Sequence, residues 1–409
     1  MSTAIMWFRR DLRLRDNPAL RAAADAGDVL PLFVLDQRLW DRAGAARRAW
    51  LAATLQRLDE SLDGRLSIRL GDPAQVVPRV AEEVGAGSVH VARDASPFAL
   101  RRDRVVVDAL TGAGVEGVAT ATPYAVEPGT LTTKGGTPFK VFTPYSRAWR
   151  EHGWPAPVSA PRSVTYLDDT SDGRVAGMLD AALRDVPIDL PTAGEDAARR
   201  RWERFVERAL DRYDTDRDLP ATEGTSRMSA DLHLGVVHPR QLLGDLEGRS
   251  DDGAESYRTE LAWRDFYADV LLANPGSAWR DLNPLGIDYD APEDAIAAWR
   301  EGRTGYPVVD AGMRQLLAEG WMHNRLRMIT ASFLTKDLHV WWPVGARHFL
   351  DHLLDGDLAS NSHGWQWVAG TGTDASPYFR VFNPVRQGER FDPDGAYVRR
   401  WVPELAHLP

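Results

Sequence analysis

The chain has 409 residues, of which 44% are hydrophobic, so it is long enough for two domains with buried cores. Its net charge of −10, from 49 basic and 59 acidic residues, argues against a surface that binds nucleic acid by overall charge, so an anionic partner must meet a local basic patch. Cysteine is absent, which excludes disulfide scaffolds, thiolate metal sites, iron–sulfur clusters and cysteine nucleophiles.

The N-terminal part, up to about residue 128, alternates short apolar runs with longer amphipathic ones. The short runs predict strands and the longer ones helices: strands at 4–8, 29–35, 66–70 and 88–92, and helices near 17–26, 45–62, 73–84 and 97–113. This alternation is typical of a parallel sheet with helices on both faces, and predicts a Rossmann-like or flavodoxin-like α/β domain over 1–128. No G-x-G-x-x-G motif follows the first strand, so dinucleotide binding of that type is not expected.

The sequence predicts neither a secretory signal nor a membrane helix. The apolar stretch at 1–8 is followed by arginines at 9, 10, 13 and 15, the reverse of the order in a signal peptide. No apolar run approaches the roughly 18 residues that span a bilayer. We therefore expect a cytoplasmic protein.

The middle of the chain, 129–198, is rich in Pro, Gly, Asp and Ser, with prolines at 155, 157, 161, 187 and 191. We interpret it as an interdomain linker on the surface rather than as a third core. From residue 195 onward, helical periodicity dominates, at 195–212, 257–272, 310–317 and 323–334. The segment 199–409 is therefore predicted to be an all-helical domain.

Two of these predicted helices place polar and aromatic side chains on one face. The spacing i, i+3, i+4, i+7 aligns one set on each helix: Glu260, Trp263, Arg264 and Tyr267, and Trp321, Asn324, Arg325 and Met328. Taken alone, the first face is typical of a solvated surface with a Glu260–Arg264 pair. The likeness of the second face favours a shared cavity for a planar, hydrogen-bonding, anionic ligand.

Three shorter motifs each allow two interpretations. The segment 225–229, Thr-Ser-Arg-Met-Ser, either cradles a phosphate or simply caps a helix. The acidic segment 355–367 either fixes a buried guanidinium such as that of Arg327 or provides acids at a helix start. His348 and His352 have metal-binding spacing, but without a third ligand at recognisable spacing we favour a packed or solvated pair.

Six segments, taken in order, carry a resemblance to a known family: 7–17 (WFRRDLRLRDN), 225–229, 260–267 (ELAWRDFY), 304–310 (TGYPVVD), 320–328 (GWMHNRLRM) and 355–367. With them the chain resembles the photolyase/cryptochrome flavoproteins over nearly its whole length. The W-M-H-N-R-x-R-M form is most similar to class I cyclobutane pyrimidine dimer photolyases. The His pair that (6-4) photolyases carry near this helix is not present in the sequence.

The resemblance implies that the helical domain binds FAD in a folded conformation. The residues that match positions around its phosphates, ribityl chain and ring are Tyr213, Thr225, Ser226, Met228, Ser229, Arg264, Arg327, Asp355, Asp357 and Asn361. Arg327 and Asp355 match an ion pair beside the isoalloxazine, and Asn361 matches the residue that faces flavin N5.

The resemblance also implies that a pyrimidine dimer, flipped out of DNA, enters an adjoining pocket. The matching substrate and DNA positions are Arg217, Glu260, Trp263, Asn324, Arg325, Met328, Trp367 and Arg380. The two tryptophans are expected to stack on the fused bases, and Glu260 and Asn324 to hydrogen-bond to base edges. DNA binding is expected to weaken with salt and to depend on an arginine patch of Arg217, Arg325, Arg380, Arg386 and Arg390.

Trp365 and Trp342 match the first two members of the family's electron-hopping chain, through which light reduces the flavin. The third position holds Tyr289, and a tyrosyl end is one way to complete the chain, with Trp279 or Trp341 as the alternatives. Trp342 can also serve packing alone. Roles in the reaction are thus implied for Glu260, Asn324, Asn361, Trp365, Trp342 and Tyr289.

The implied activity is light-driven repair of cyclobutane pyrimidine dimers by electron transfer from excited FADH⁻, the reaction of a carbon–carbon lyase. The alternatives are a cryptochrome-type blue-light photoreceptor without repair and a nucleotide-binding module without light chemistry. Trp367, with the set Trp263, Asn324 and Met328, favours repair.

The N-terminal domain is expected to hold an antenna chromophore. The stretch 94–103 lacks the Asn-Glu pair of folate-binding members, which favours 8-hydroxy-5-deazaflavin over methenyltetrahydrofolate, with an empty pocket as the alternative. We expect a monomer whose partner is damaged DNA, without a membrane and without a metal.

Overall fold

In the computed structural model of the chain, residues 2–169, 172–375, 377 and 380–407 are described. The N-terminal part forms one five-stranded sheet. Its strands are β1 (Thr3–Phe8), β2 (Asp28–Leu35), β3 (Ser67–Leu70), β4 (Ala86–Val91) and β5 (Glu116–Ala119). The helices between and around them are α1 (Pro18–Ala26), α2 (Gln37–Trp40), α3 (Ala45–Ser61), α4 (Pro73–Glu83) and α5 (Pro97–Gly112).

The strand order is β3-β2-β1-β4-β5, and every pairing is parallel. In the centre, Ile5 of β1 lies opposite Leu30 of β2 and Val89 of β4, and all three side chains are buried. β1 and β2 are almost entirely apolar because helices cover central parallel strands on both faces. The predicted α/β fold and its four strands are confirmed. β5 escapes the prediction because its four residues are largely exposed and form no apolar run.

The middle region contains two helices, α6 (Phe142–His152) and α7 (Gly173–Arg184). α6 buries Tyr145 and Trp149, and the Trp149 indole donates to the Asp265 carboxylate at 2.9 Å. α7 buries Val175 and Leu179. These two helices were not predicted, and the prolines at 155, 157, 161, 187 and 191 all lie outside them. The assignment of 129–198 as an interdomain linker stays a prediction.

The C-terminal part is helical in every element the described residues define, as predicted. Its α-helices are α8 (Glu195–Arg208), α9 (Tyr213–Asp216), α10 (Ser229–Leu234), α11 (Pro239–Asp245), α12 (Asp252–Ala273), α13 (Glu293–Arg300), α14 (Pro307–Glu319), α15 (Asn324–Ser332), α16 (Trp342–His352), α17 (Leu358–Ala369), α18 (Pro384–Phe391) and α19 (Ala396–Trp401). Three 3₁₀ turns lie at Leu210–Arg212, Pro275–Ala278 and Pro403–Leu405. A π-helical turn at Phe333–Asp337 directly follows α15.

The loop after β1 packs tightly on the end of α10. Gly235, which ends α10 with φ of 67°, lies so close to the Arg10 carbonyl that a Cβ would sit 1.8 Å from its oxygen. Leu12 N also donates to Leu234 O at 3.2 Å. Only glycine fits this left-handed, crowded position, and the contact brings Arg10 to the helical part.

Helices α16 and α17 pack through an aromatic cluster that contains Trp299, Trp342, Phe349 and Trp365. A Cβ on Gly345 would lie 2.1 Å from the Trp365 ring, so the ring rests directly on the α16 backbone. The close approach of the two helices therefore depends on glycine at this position.

No helix among the described residues is long and apolar enough to cross a membrane. The rings of His348 and His352 lie 4.3 Å apart, and the described ranges contain no group of three side chains suited to hold a metal ion.

Burial of His363 in α17 makes the stability of the protein depend on pH. His363 is buried, contacts the Ser277 hydroxyl at 2.9 Å, and burial lowers its pKa to about 4, against 6.5 when solvated. As pH falls, the unfolded chain therefore takes up a proton at this histidine before the folded chain does. The free energy of unfolding decreases progressively from about pH 6.5 down to about pH 4, and the total loss due to His363 is about 3 kcal/mol. We expect His363→Gln to flatten this part of the curve of unfolding free energy against pH in urea titrations. The control is His152→Gln at an exposed site, and an equal effect of both variants would contradict the assignment.

Candidate functional site

A cavity of about 520 Å³ lies among α9, α10, α12, α15 and α17, within the range of ~300–1,000 Å³ that is typical of small-molecule and cofactor sites. Most of the predicted site residues line it: Tyr213, Arg217, Thr225, Ser226, Met228, Ser229, Glu260, Trp263, Arg264, Asn324, Arg325, Arg327, Met328, Asp355, Asp357, Asn361, Trp365 and Trp367. Tyr267 and Trp321 line it as well, so the two predicted helical faces meet at one cavity. Trp342, Tyr289 and Arg380 are not among its lining residues.

Glu260 and Arg264 do not form the surface pair that the spacing allows. Glu260 pairs with Arg217 at 2.7 Å, at the cavity wall. Arg264 instead donates to the carbonyls of Pro123 at 2.8 Å and Leu232 at 3.1 Å. The interpretation of this face as a solvated helix surface is therefore wrong.

The predicted ion pair of Arg327 and Asp355 is present, with Nη2 and Oδ2 2.8 Å apart and the carboxylate side chain only 2% exposed. Burial alone would raise the pKa of Asp355, but Arg327 outweighs burial and lowers it below its ordinary value. The cavity floor thus holds an ionised carboxylate with a fixed guanidinium beside it.

Asp357 has a partner that the sequence reasoning missed. Its Oδ2 accepts from Arg10 Nη2 at 2.6 Å, and its Oδ1 caps α17 by accepting from Ser360 N at 2.9 Å. Burial would raise the pKa of Asp357, but Arg10 and Arg264 hold it well below its ordinary value. The available signal was the pair of arginines directly after β1, because residues at that end of a parallel strand face the ligand-binding edge of the sheet.

His233 is a second missed lining residue. Burial, reinforced by the positive charge of Arg10, lowers its pKa to about 3, so the imidazole is neutral. Its Nδ1 is buried and has no hydrogen-bond partner among the described residues. An unpaired buried polar atom in a cavity wall is typical of a site that receives polar ligand atoms.

The segment 225–229 bends into the cavity. The Ser226 hydroxyl lies 2.9 Å from the Tyr257 hydroxyl and also accepts from Met228 N at 3.4 Å. Arg227 has a φ of 52°, which is uncommon for a residue other than glycine, and its guanidinium lies 4.1 Å from the Trp321 ring centroid. These contacts hold the hydroxyl-bearing segment in place beside α10.

Trp263 and Trp367 are two of the aromatic residues that line the cavity. Phe142 stacks on Trp263 with ring centroids 3.6 Å apart and planes 7° from parallel. The contact covers one face of the Trp263 ring and restricts its rotation, so it is another functional feature that the sequence reasoning missed.

The start of α15 is capped by His323, whose Nδ1 accepts from Arg325 N at 3.2 Å. The Arg325 guanidinium pairs with Asp218 at 2.6 Å and lies 4.4 Å from the centroid of Phe391. Asn324 is the first residue of the helix and lines the cavity. Arg380 lies elsewhere on the surface, exposed, with its guanidinium 5.8 Å from the Phe382 ring.

The remaining predicted residues differ in position. Asn361 donates from Nδ2 to Ala346 O at 3.0 Å, which fixes its amide at the cavity wall. Trp365 is buried and lines the cavity, whereas Trp342 is fully buried in the aromatic cluster behind it. Tyr289 is half-buried, with its ring centroid 6.4 Å from that of Trp341.

Comparison with known proteins gives matches along the chain. Residues 4–162 match the family model described as DNA photolyase, and residues 257–409 match the FAD binding domain of DNA photolyase. The deoxyribodipyrimidine photo-lyase of Streptomyces griseus is 45% identical over 417 residues, which cover 100% of this chain and 91% of that protein.

Solved structures are similar as well. A bacterial class III photolyase from Agrobacterium tumefaciens superposes with a TM-score of 0.92 at 37% identity, over 100% of this chain and 88% of that one. A cryptochrome from Synechocystis gives a TM-score of 0.91 at 29% identity, over 100% of this chain and 90% of that one. The likeness to class I enzymes in particular stays a prediction.

Proposed function

The chain belongs to the DNA photolyase family, and from that membership we propose that it is a deoxyribodipyrimidine photo-lyase that uses light to split cyclobutane pyrimidine dimers in DNA. The observation that carries the proposal is a single cavity lined both by the residues assigned to FAD and by those assigned to the dimer. An electron donor and its acceptor must be close together, and one shared cavity would hold them side by side.

The cavity residues fit FAD. Hydroxyls of Thr225, Ser226 and Ser229 are suited to the phosphates and ribityl chain, and the unpaired His233 Nδ1 can accept a hydrogen bond from a ribityl or ribose hydroxyl. The Arg327 guanidinium, held by Asp355, offers a fixed positive charge to a reduced, anionic ring. When bound, reduced FAD supplies the photoexcited electron that opens the cyclobutane ring, and this electron afterwards returns to the flavin.

The other wall of the cavity suits the dimer. A dimer in a duplex is out of reach, so it must be flipped out, and its poor stacking lowers that cost. Trp263, braced by Phe142, and Trp367 offer stacking faces for the two fused bases. In this proposal Glu260 and Asn324, which line the cavity, hydrogen-bond to base edges, and Arg325 and Arg217 contact the DNA backbone.

A cryptochrome-type photoreceptor without repair is the competing function. It needs the flavin site but no paired stacking surfaces beside it, whereas this cavity combines Trp263 and Trp367 with the polar side chains of Glu260 and Asn324. The lesion side of the cavity therefore favours repair.

We also propose an antenna at the carboxyl edge of the N-terminal sheet. There the guanidiniums of Arg9 and Arg102 lie 4.8 and 5.2 Å from the Trp7 ring, and Arg38 lies 5.5 Å from Phe98. Cations stacked on aromatic rings suit a planar anionic ring system, which supports 8-hydroxy-5-deazaflavin over methenyltetrahydrofolate. Extraction of the purified protein followed by mass spectrometry distinguishes the two. We further propose a monomer that acts on damaged DNA in the cytoplasm.

The test is direct. Pre-reduced enzyme is mixed with an oligonucleotide that contains one thymine dimer and illuminated with near-ultraviolet to blue light. We expect base absorbance to recover in the light and not in the dark. Bound FAD without any recovery would exclude repair and support the photoreceptor.

Glu260→Gln is expected to lower the repair yield about tenfold while flavin content stays unchanged, because a hydrogen bond to a charged group contributes about 1.5–3 kcal/mol. The matched control is Glu255→Gln on the same helix, whose carboxylate pairs with Arg150 at the surface at 2.5 Å. Repair yield per bound flavin is measured for both. Parallel loss of flavin and repair in Glu260→Gln would assign Glu260 a structural role.

A further inference from the structure

Two neighbouring tryptophans share one carboxylate. The indole Nε1 of Trp342 donates to Asp281 Oδ1 at 2.7 Å, and Nε1 of Trp341 donates to the same oxygen at 3.1 Å. The two rings differ in exposure, because Trp342 is fully buried and Trp341 is 37% exposed. A buried indole and a surface indole are thus joined through a single acceptor.

Trp365, the tryptophan of the aromatic cluster that lines the cavity, has no such acceptor. Nε1 of Trp365 is buried and has no hydrogen-bond partner among the described residues. Trp299 lies 6.0 Å from Trp365 between ring centroids, but it is fully buried and donates to a neutral carbonyl, Thr330 O, at 3.1 Å. A reductant in solution therefore cannot reach Trp299.

The hydrogen-bond partners of these indoles determine which of them holds a positive charge more stably. An indole that loses an electron becomes a cation and its N–H becomes strongly acidic. A carboxylate at hydrogen-bond distance stabilises that cation and can take its proton, and the effect is larger inside the protein than in water. An electron vacancy is therefore more stable on Trp342 or Trp341 than on Trp365.

We propose that Trp341 is the outer electron donor of this protein and that Asp281 acts as the positioning residue that stabilises the vacancy and accepts the proton. The proposal rests on the proposed function, since the flavin cofactor is what draws the electron from Trp365. The route then runs from Trp365 through Trp342 to Trp341 and ends at the surface.

The step balances with an external thiol as the reductant. One electron passes from Trp341 to oxidised Trp342, and the Nε1 proton of Trp341 passes to Asp281, leaving a neutral indole radical. A thiolate in solution then gives one electron to that radical and becomes a thiyl radical, while the proton returns from Asp281. The net change is one electron moved from thiolate to the inner tryptophan.

Two other candidates are distinguished by the test. Tyr289 lies beside Trp341, at 6.4 Å between ring centroids. Trp279 lies with its ring 4.9 Å from the Arg347 guanidinium, and a nearby positive charge disfavours a second one.

The experiment measures light-driven flavin reduction in the holoenzyme with a thiol reductant. Trp341→Phe and Asp281→Asn are each expected to slow flavin reduction about tenfold. One charge-assisted hydrogen bond changes an equilibrium constant by about this factor. Trp279→Phe is the matched control and should match the unmodified chain. In transient absorption, the unmodified chain should end in a neutral tryptophan radical, and Asp281→Asn should retain the radical cation for longer.

Unchanged reduction in Trp341→Phe would overturn the proposal, as would a loss confined to Tyr289→Phe or Trp279→Phe. An unchanged radical spectrum in Asp281→Asn would remove the proton-acceptor role. Repair by chemically pre-reduced enzyme is measured beside Trp341→Phe, Asp281→Asn and Trp279→Phe and should stay unchanged. Failure of repair in the unmodified chain would count against the lyase function and leave the radical measurements to decide the electron route.

Discussion

Replacement of Asp355 by alanine is expected to lower the free energy of unfolding by about 3–5 kcal/mol, because it leaves the Arg327 guanidinium without its partner in a buried wall. The Asp355 side chain is 2% exposed and that of Arg327 is 24% exposed, so water replaces little of the lost interaction. The guanidinium also loses its orientation toward the cavity, and we expect the purified variant to retain little FAD.

The matched control is an exposed ion pair of similar geometry. Arg314 pairs with Glu404 at 2.6 Å, and Glu404 is 56% exposed. Glu404→Ala should lower the free energy of unfolding far less than Asp355→Ala does, because a solvated ion pair contributes little to stability. Urea denaturation of both variants, with absorbance of bound flavin, provides the comparison. Equal losses in the two variants would show that burial of the Asp355 pair does not determine its contribution.

Trp263→Ala is expected to weaken binding of dimer-containing DNA by about 10- to 100-fold, since stacking of a base on an aromatic ring contributes ~1–3 kcal/mol. Phe142 stacks on one face of the Trp263 ring at 3.6 Å, so the stacking surface is already ordered before the substrate arrives. Trp367→Ala should have an effect of the same size, because Trp367 provides a second ring at the same cavity.

Binding is measured in the dark by fluorescence anisotropy at constant salt, with undamaged DNA of the same sequence beside it. The loss should be confined to damaged DNA, because backbone contacts by arginines do not distinguish the two. Trp279→Ala serves as control, since its half-buried ring is not part of the cavity lining. Equal weakening for damaged and undamaged DNA would place Trp263 in general DNA contact rather than in the lesion pocket.

Much of the fold follows from local sequence pattern. The apolar runs of β1 and β2 predict buried parallel strands, and Asn17, followed by Pro18, marks the start of α1 through a cap on Leu20 N at 3.1 Å. Two elements follow no such pattern. β5 is short and exposed, and α6 lies in a region where proline-rich composition hides an amphipathic helix that buries Tyr145.

The candidate site divides in the same way. Helical spacing correctly groups Glu260 with Trp263 and Asn324 with Met328, because residues on one helical face are neighbours whatever surrounds them. The same spacing wrongly pairs Glu260 with Arg264, since it carries no information on competing partners.

The sequence by itself determined the α/β class of the N-terminal part, the helical class of the C-terminal part, the family and the residue types around the cavity, because these depend on periodicity and on motifs of adjacent residues. Only the tertiary structure decided which charged and aromatic groups meet. Arg10 reaches Asp357 across 347 positions of sequence, and Trp342 reaches Asp281 across 61. Such contacts arise because packing of whole helices and strands sets distances, and burial then strengthens the interactions between the charges it encloses.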